Sequence, residues 1–251
     1  MEKVKPYAIL GMHRSGTTLA YSIIKDLSPD YNKGLGLNVE YFQLDEPDFY
    51  VRDTGKELIQ TDGRVTDRKN EILRRLRLLK KYHYPYTLKC LPDQLPSKVI
   101  RCLLKNYRIL YCERRDHYEQ FLSYCIAHET GIWNVKNKQF AYDKNKITVK
   151  KTTLDTYLYE MENWYRVKKF ITSKNFKPST IWYEDLIQNS KKEITENTNL
   201  QWRDQRTEYY VPILKLANKQ RKQAMIQNID RVREYFFNLQ KLRPYLYKEA
   251  K

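Results

Sequence analysis

The sequence predicts an α/β fold, a single domain of three layers in which a central parallel sheet is flanked by helices. Short apolar runs recur near 7–10, 87–91, 108–113 and 179–184, with the length and composition of buried parallel strands. Between them lie stretches with helical spacing, notably 68–82, 97–105, 116–128 and 154–171, which is the βαβ rhythm of a sheet covered on both faces. A chain of 251 residues, 41% hydrophobic and 31% charged, suffices for one sizeable core and is short for two full domains. Residues 1–251 are therefore read as one domain, with irregular excursions about 28–66 and 131–153 and C-terminal helices about 212–240.

In chain order, the strand Tyr7-Ala8-Ile9-Leu10 comes first and runs into Gly11-Met12-His13-Arg14-Ser15-Gly16-Thr17-Thr18. A helix follows, since Leu19, Ala20, Ile23, Ile24 and Leu27 recur at helical spacing. A glycine loop between strand and helix aims free backbone N–H groups and the positive end of the helix dipole at an anion, and Gly11 and Gly16 let the backbone come close. Thr17 stands where the nucleotide-hydrolysing form of this loop has its lysine, and the basic residue is Arg14 inside the loop. The candidate ligands are thus Arg14, Ser15, Gly16, Thr17 and Thr18, amides and hydroxyls with one guanidinium and no obligatory metal. His13 either touches a ligand or packs the loop.

The excursion 28–66 carries Pro29, Gly34, Gly36, Pro47, Gly55 and Gly63 and little helical periodicity. Its acidic residues Asp45, Glu46 and Asp48 match no hard-cation loop and are read as a solvated turn, so no metal site is predicted. Farther on, the strand 108–113 leads into Arg114-Arg115-Asp116-His117, and Asp116 with Glu119 suits a capping box. The helix it opens has Phe121, Leu122, Cys125 and Ile126 on its apolar face. Arg115 sits at the strand-to-helix mouth and Ser123 about two turns into the helix, either as partners around one phosphate or as a capping arginine and a solvent-facing serine. Near the C-terminus, Leu214, Leu216, Ala217, Ala224, Ile229 and Val232 mark one or two amphipathic helices among many bases.

The formal net charge of +17 suits anionic ligands, although a chain this rich in Lys, Asn, Ile and its 22 Tyr can also carry such charge on solvated faces. The basic tract 136–151, with Phe140 and Tyr142, is the nearest approach to a nucleic-acid stripe, but its lack of periodicity reads as a loop. No apolar run approaches the eighteen or so residues of a membrane span, and Cys90, Cys102, Cys112 and Cys125 lack Cys-x-x-Cys spacing. Reduced core thiols and a cytoplasmic location are expected.

Arg14-Ser15-Gly16-Thr17-Thr18 resembles the 5′-phosphosulfate loop of sulfotransferases that use 3′-phosphoadenosine 5′-phosphosulfate (PAPS), and Arg115 with Ser123 eight positions later resembles their 3′-phosphate motif. Thr180-Ile181-Trp182-Tyr183-Glu184-Asp185-Leu186 is similar to a strand and Tyr-Glu-Asp-Leu found late in many members. Asn38-Val39-Glu40-Tyr41-Phe42 and Tyr86-Thr87-Leu88-Lys89-Cys90-Leu91 resemble segments of the bacterial trehalose-type enzymes. The similarity spans about 5–27, 38–42, 86–126 and 178–187, and His117 departs from the proline common after Arg-Asp in relatives.

This resemblance implies a P-loop, nucleotide-binding transferase that moves the sulfuryl group of PAPS to an acceptor hydroxyl, on a carbohydrate or other small metabolite. It implies Glu40 as general base, Arg14 and Lys89 as groups acting on the sulfuryl charge, and Arg14, Ser15, Gly16, Thr17, Thr18, Arg115 and Ser123 as PAPS ligands, with no metal. Lys215, Lys219 and Arg221 are further candidates for the 3′-phosphate pocket. The partner implied is a small-molecule or glycan acceptor; a homodimer stays open and nucleic acid is not expected. A P-loop nucleotide kinase, a basic nucleic-acid-binding protein and a catalytically inactive binding subunit are the alternatives.

Overall fold

The computed structural model describes residues 5–28, 42, 52–53, 56–57, 68–81, 87–133, 146–202 and 219–247. Four parallel strands make its central sheet: β1 (Tyr7–Leu10), β4 (Leu88–Cys90), β5 (Arg108–Glu113) and β6 (Ser179–Trp182), in the order β4-β1-β5-β6. They fall where the apolar runs predict them. The two-residue strands β2 (Arg52–Asp53) and β3 (Lys56–Glu57) form an antiparallel pair inside the excursion read as irregular. Two residues per strand are too short for any alternation of side chains to signal.

Alternate side chains of the central strands divide the core between the two faces of the sheet, as the two-residue period of a strand requires. Tyr7 and Ile9 of β1 and Leu110 and Cys112 of β5 pack with α1 (Thr17–Leu27), α6 (Tyr183–Gln188) and α7 (Ser190–Asn197). Ala8, Leu10, Ile109 and Tyr111 face the other way, toward α2 (Arg68–Lys81), α3 (Ser97–Asn106), α4 (His117–Thr130), α5 (Lys151–Thr172) and α9 (Ile229–Leu242). The result is the three-layer arrangement that the sequence predicts.

Each helix follows from its local sequence. Asp116 caps α4 by accepting the Glu119 N–H at 2.8 Å, and Gly131 ends the helix at φ 70°, a left-handed conformation that suits glycine. The expected reciprocal half of the capping box is replaced, because the Asp116 N–H donates to Glu184 at 3.4 Å. In α5, Leu154, Tyr157, Met161, Trp164, Lys168 and Ile171 are buried at spacings of three and four, one continuous stripe. The helix begins three residues before its predicted start at 154. Its entry is clamped from outside: the Asn228 side-chain amide accepts the Val149 N–H at 3.0 Å and donates to the Val149 carbonyl at 2.9 Å. The C-terminal region holds α8 (Lys219–Ala224) and α9, the latter packed on α4 through Phe236 and Phe121 at 5.2 Å between ring centroids.

Glu71 in α2 makes a local electrostatic anchor, pairing with Arg74 at 2.7 Å and with the fully buried Arg75 at 2.7 Å. Burial alone would raise its carboxyl, but the two guanidiniums outweigh it and hold the group below its ordinary value of 4.5. A lowered carboxylate contributes its stability in full above the unfolded value and loses it as pH falls through the folded one. The urea midpoints of wild type and Glu71→Gln should therefore differ at neutral pH and converge in acid below 4.5. A difference independent of pH would show that the anchor is not electrostatic.

Candidate anion-binding site

Helix α1, which follows β1, packs on one face of the sheet, whereas α4, which follows the neighbouring β5, packs on the other. Chains leaving adjacent parallel strands toward opposite faces open a crevice at the carboxyl ends of those strands. The glycine loop and the Arg114-Arg115 turn are the two lips of that crevice.

The loop is held tightly at its base. A Cβ on Gly11 would lie 2.4 Å from the Cys112 carbonyl oxygen, so only glycine leaves the sheet this close to β5. Arg14 at φ 63° and Gly16 at φ 95° turn the chain into α1. Gly16 lies under the Tyr183 ring, which a Cβ there would meet at 2.5 Å. The Ser15 N–H and hydroxyl both donate to the Met12 carbonyl, at 3.2 and 2.7 Å, and the Cys112 thiol donates to the Ser15 carbonyl at 3.2 Å. Ser15, expected as a ligand, thus closes the loop inward. Burial, the largest influence on Cys112, pushes its thiol well up, so it stays protonated as a donor.

Thr17 opens α1, whose first-turn N–H groups have no partner within the helix. Lys89, 2% exposed on β4, donates to the Thr18 hydroxyl at 3.2 Å. The lysine singled out from the sequence therefore reaches the loop from the strand on the other side of β1. Arg14 donates to the Trp133 carbonyl just beyond α4. His13 packs the loop, one of its two expected roles: its Nδ1 is 2.7 Å from Glu160 of α5, whose other oxygen accepts from the Tyr124 hydroxyl at 2.9 Å. Gln120 of α4 donates to the His13 carbonyl at 3.0 Å.

Arg115 is 51% exposed and makes a two-point ion pair with Asp185, at 2.7 and 2.6 Å, over the Trp182 ring. Ser123 is buried within α4, and among the described residues no hydrogen bond joins it to Arg115. The buried arginine of the pair is Arg114. It is 7% exposed and lies 3.8 Å from the centre of the Tyr183 ring, the same ring that covers Gly16.

Its charge reaches the loop. Burial pushes the Lys222 ammonium of α8 down, Glu119 at 2.8 Å opposes this, and the guanidiniums of Arg114 and Arg14 add to the downward push. Arg14, Arg114 and Lys222 are therefore electrostatic neighbours at the mouth of the crevice. Lys219 is 3.1 Å from Asp116. Burial would raise the Asp116 carboxyl, but the Glu119 N–H and Lys219 hold it below the usual carboxylate range.

Glu40, Lys215 and the side chain of Arg221 lie outside the described residues, as do Asp45, Glu46, Asp48 and most of the basic tract 136–151. Among the described residues no group of three or more His, Cys, Asp or Glu could hold a metal, no helix is long and apolar enough to cross a membrane, and no disulfide joins any of the four cysteines. Sequence reasoning gave no site role to Arg114, Glu160 or Lys222, and placed Tyr183 only in a segment of family resemblance. Arg114 and Lys222 had a signal, since each adjoins a residue that was chosen; nothing in the sequence marks Glu160 as the partner of a histidine 147 positions earlier. No protein-family model matches the chain, and a search of curated proteins returns no match.

Proposed function

We propose that this protein is a PAPS-dependent sulfotransferase that moves a sulfuryl group to an acceptor hydroxyl, on a carbohydrate or other small metabolite. The observation that carries the reading is the crevice between β1 and β5, with a glycine loop on one lip and an arginine turn on the other. A donor with a phosphate at each end of its ribose needs two separate anion sites, and these motifs supply one each. Arg14, Lys89 and the amides of Gly16 to Thr18 lie on the side where charge builds on the sulfuryl oxygens and on the departing 5′-phosphate. Arg115, exposed and held by Asp185, takes the 3′-phosphate by exchanging one anion for another. Positioning and electrostatics then provide most of the acceleration, and Glu40, by the resemblance alone, accepts the acceptor's proton.

Titration calorimetry with adenosine 3′,5′-bisphosphate tests the reading. Binding should weaken about tenfold or more in Arg115→Ala, the loss of one charge-assisted phosphate contact. Labelled PAPS incubated with the protein and a cell extract should then mark a hydroxyl compound. Absence of binding, or stabilisation by ATP with magnesium in place of the bisphosphate, would overturn the proposal.

A further inference from the structure

A cavity of about 60 Å³ lies at the carboxyl end of β5, with Ser15, Arg114, His117, Gln120, Lys168 and Tyr247 on its wall. Its charges do not balance. Arg114 is 93% buried, and its Nε and Nη1 have no acceptor among the described residues. The Tyr247 hydroxyl is a second buried group on the same wall without a partner there.

The surrounding acidic groups are all engaged by other donors and leave Nε and Nη1 of that guanidinium without an acceptor among the described residues. Lys168 is neutralised by Glu113 at 2.9 Å, and the same Glu113 oxygen accepts the Trp164 indole N–H at 2.9 Å. Burial pushes His117 down, so it is uncharged near neutral pH. Asp116 is taken by Lys219 and the Glu119 N–H, and Glu184 by the N–H groups of Arg115 and Asp116. Tyr183 covers one face of the Arg114 guanidinium, but the N–H donors lie in the guanidinium plane and need acceptors at its edge.

We infer that this cavity binds a small tetrahedral oxyanion, sulfate or phosphate, gripped by one of the two unpartnered N–H positions of Arg114, Nε or Nη1, and by the Tyr247 hydroxyl. A water molecule's share of liquid volume is ~30 Å³, so the space suits an ion of this size and excludes a nucleoside. A charge-assisted N–H of Arg114 and the Tyr247 hydroxyl donate to different oxygens of the tetrahedral anion, and Lys168 offsets the repulsion of Glu113. The inference does not rest on sulfuryl transfer and stands even if no nucleotide binds.

The test is calorimetric titration of the whole protein with sodium sulfate at constant ionic strength, alone and with saturating adenosine 3′,5′-bisphosphate. Whatever sulfate the glycine loop or Arg115 also takes, one saturable site is expected whose Kd is raised about tenfold or more by Arg114→Met and about threefold to fivefold by Tyr247→Phe. Sulfate binding that persists beside the bisphosphate assigns the site to a free ion; displacement that requires Arg114 assigns it to a phosphate of the nucleotide, still an oxyanion in this cavity. No saturable sulfate binding, or binding indifferent to both Arg114→Met and Tyr247→Phe, overturns the inference. Should Arg114→Met fail to fold, Tyr247→Phe removes one hydroxyl and decides the matter by itself. Sulfate binding without bisphosphate binding would sink the donor reading and leave this one intact.

Discussion

Gly11→Ala is expected to destabilise the protein by about 3 kcal/mol, the upper end of the usual range for overpacking a tight interior. Three atoms would crowd the new methyl group: the Cys112 carbonyl oxygen at 2.4 Å, Ser15 Oγ at 2.7 Å and Thr17 Cγ2 at 2.8 Å. The first decides the magnitude. A carbonyl in the middle of the sheet cannot rotate away, because β5 is hydrogen-bonded to β1 on one side and β6 on the other. Relief requires β1 and β5 to separate at their carboxyl ends, which opens the core and spreads the two lips of the crevice.

Gly16→Ala makes a useful contrast. Its obstacle is a tyrosine ring that can tilt, so the smaller part of its penalty is steric and the larger is the left-handed φ of 95°. At ~2–4 °C per kcal/mol for a chain of this size, Gly11→Ala should melt about 6–12 °C below wild type. Denaturant titration should return the same loss of free energy. A Gly11→Ala protein as stable as wild type within 0.5 kcal/mol would mean that the loop does not sit against β5, since surface substitutions fall in that range.

The sheet was legible because its strands are buried on both faces and so read as uninterrupted apolar runs. Tyr7–Leu10 and Arg108–Glu113 could be bounded almost to the residue for that reason. The start of α5 was not, since Lys151-Thr152-Thr153 carries no apolar periodicity and the helix is anchored there by Asn228, far along the chain. Strand order was equally hidden: nothing local tells β4 to pair beyond β1 and not beyond β5. The loop was readable from its glycine spacing, because glycine answers to backbone geometry that is local. The second motif was less so. Two consecutive arginines leave a strand end with different fates, Arg114 buried over Tyr183 and Arg115 exposed on Asp185, and the choice is made by residues about 70 positions later in α6. Burial sorted the two arginines, and spacing alone had no access to it.

The same strand end is predicted to be electrostatically brittle, and Lys168→Met is the substitution that exposes this. Lys168 and Glu113 have side chains only 9% and 15% exposed, 2.9 Å apart, so solvent replaces little of the interaction when one partner goes. Removing one member of a buried pair costs about 3–5 kcal/mol, because the other is left charged where water solvates it poorly. Among the described residues, Glu113 would keep as hydrogen-bond donor only the Trp164 indole N–H at 2.9 Å. The double variant Glu113→Gln with Lys168→Met should recover most of that loss, since no charge then remains unpaired; a neutral amide can still accept from Trp164. The pairwise coupling from the four denaturation curves should approach the upper part of the ~0.5–3 kcal/mol range for contacting residues. A coupling near zero, the value typical of solvated surface pairs, would show that this end of β5 is wet. It would also weaken the reading of Arg114, whose burial beside Glu113 depends on the same exclusion of water.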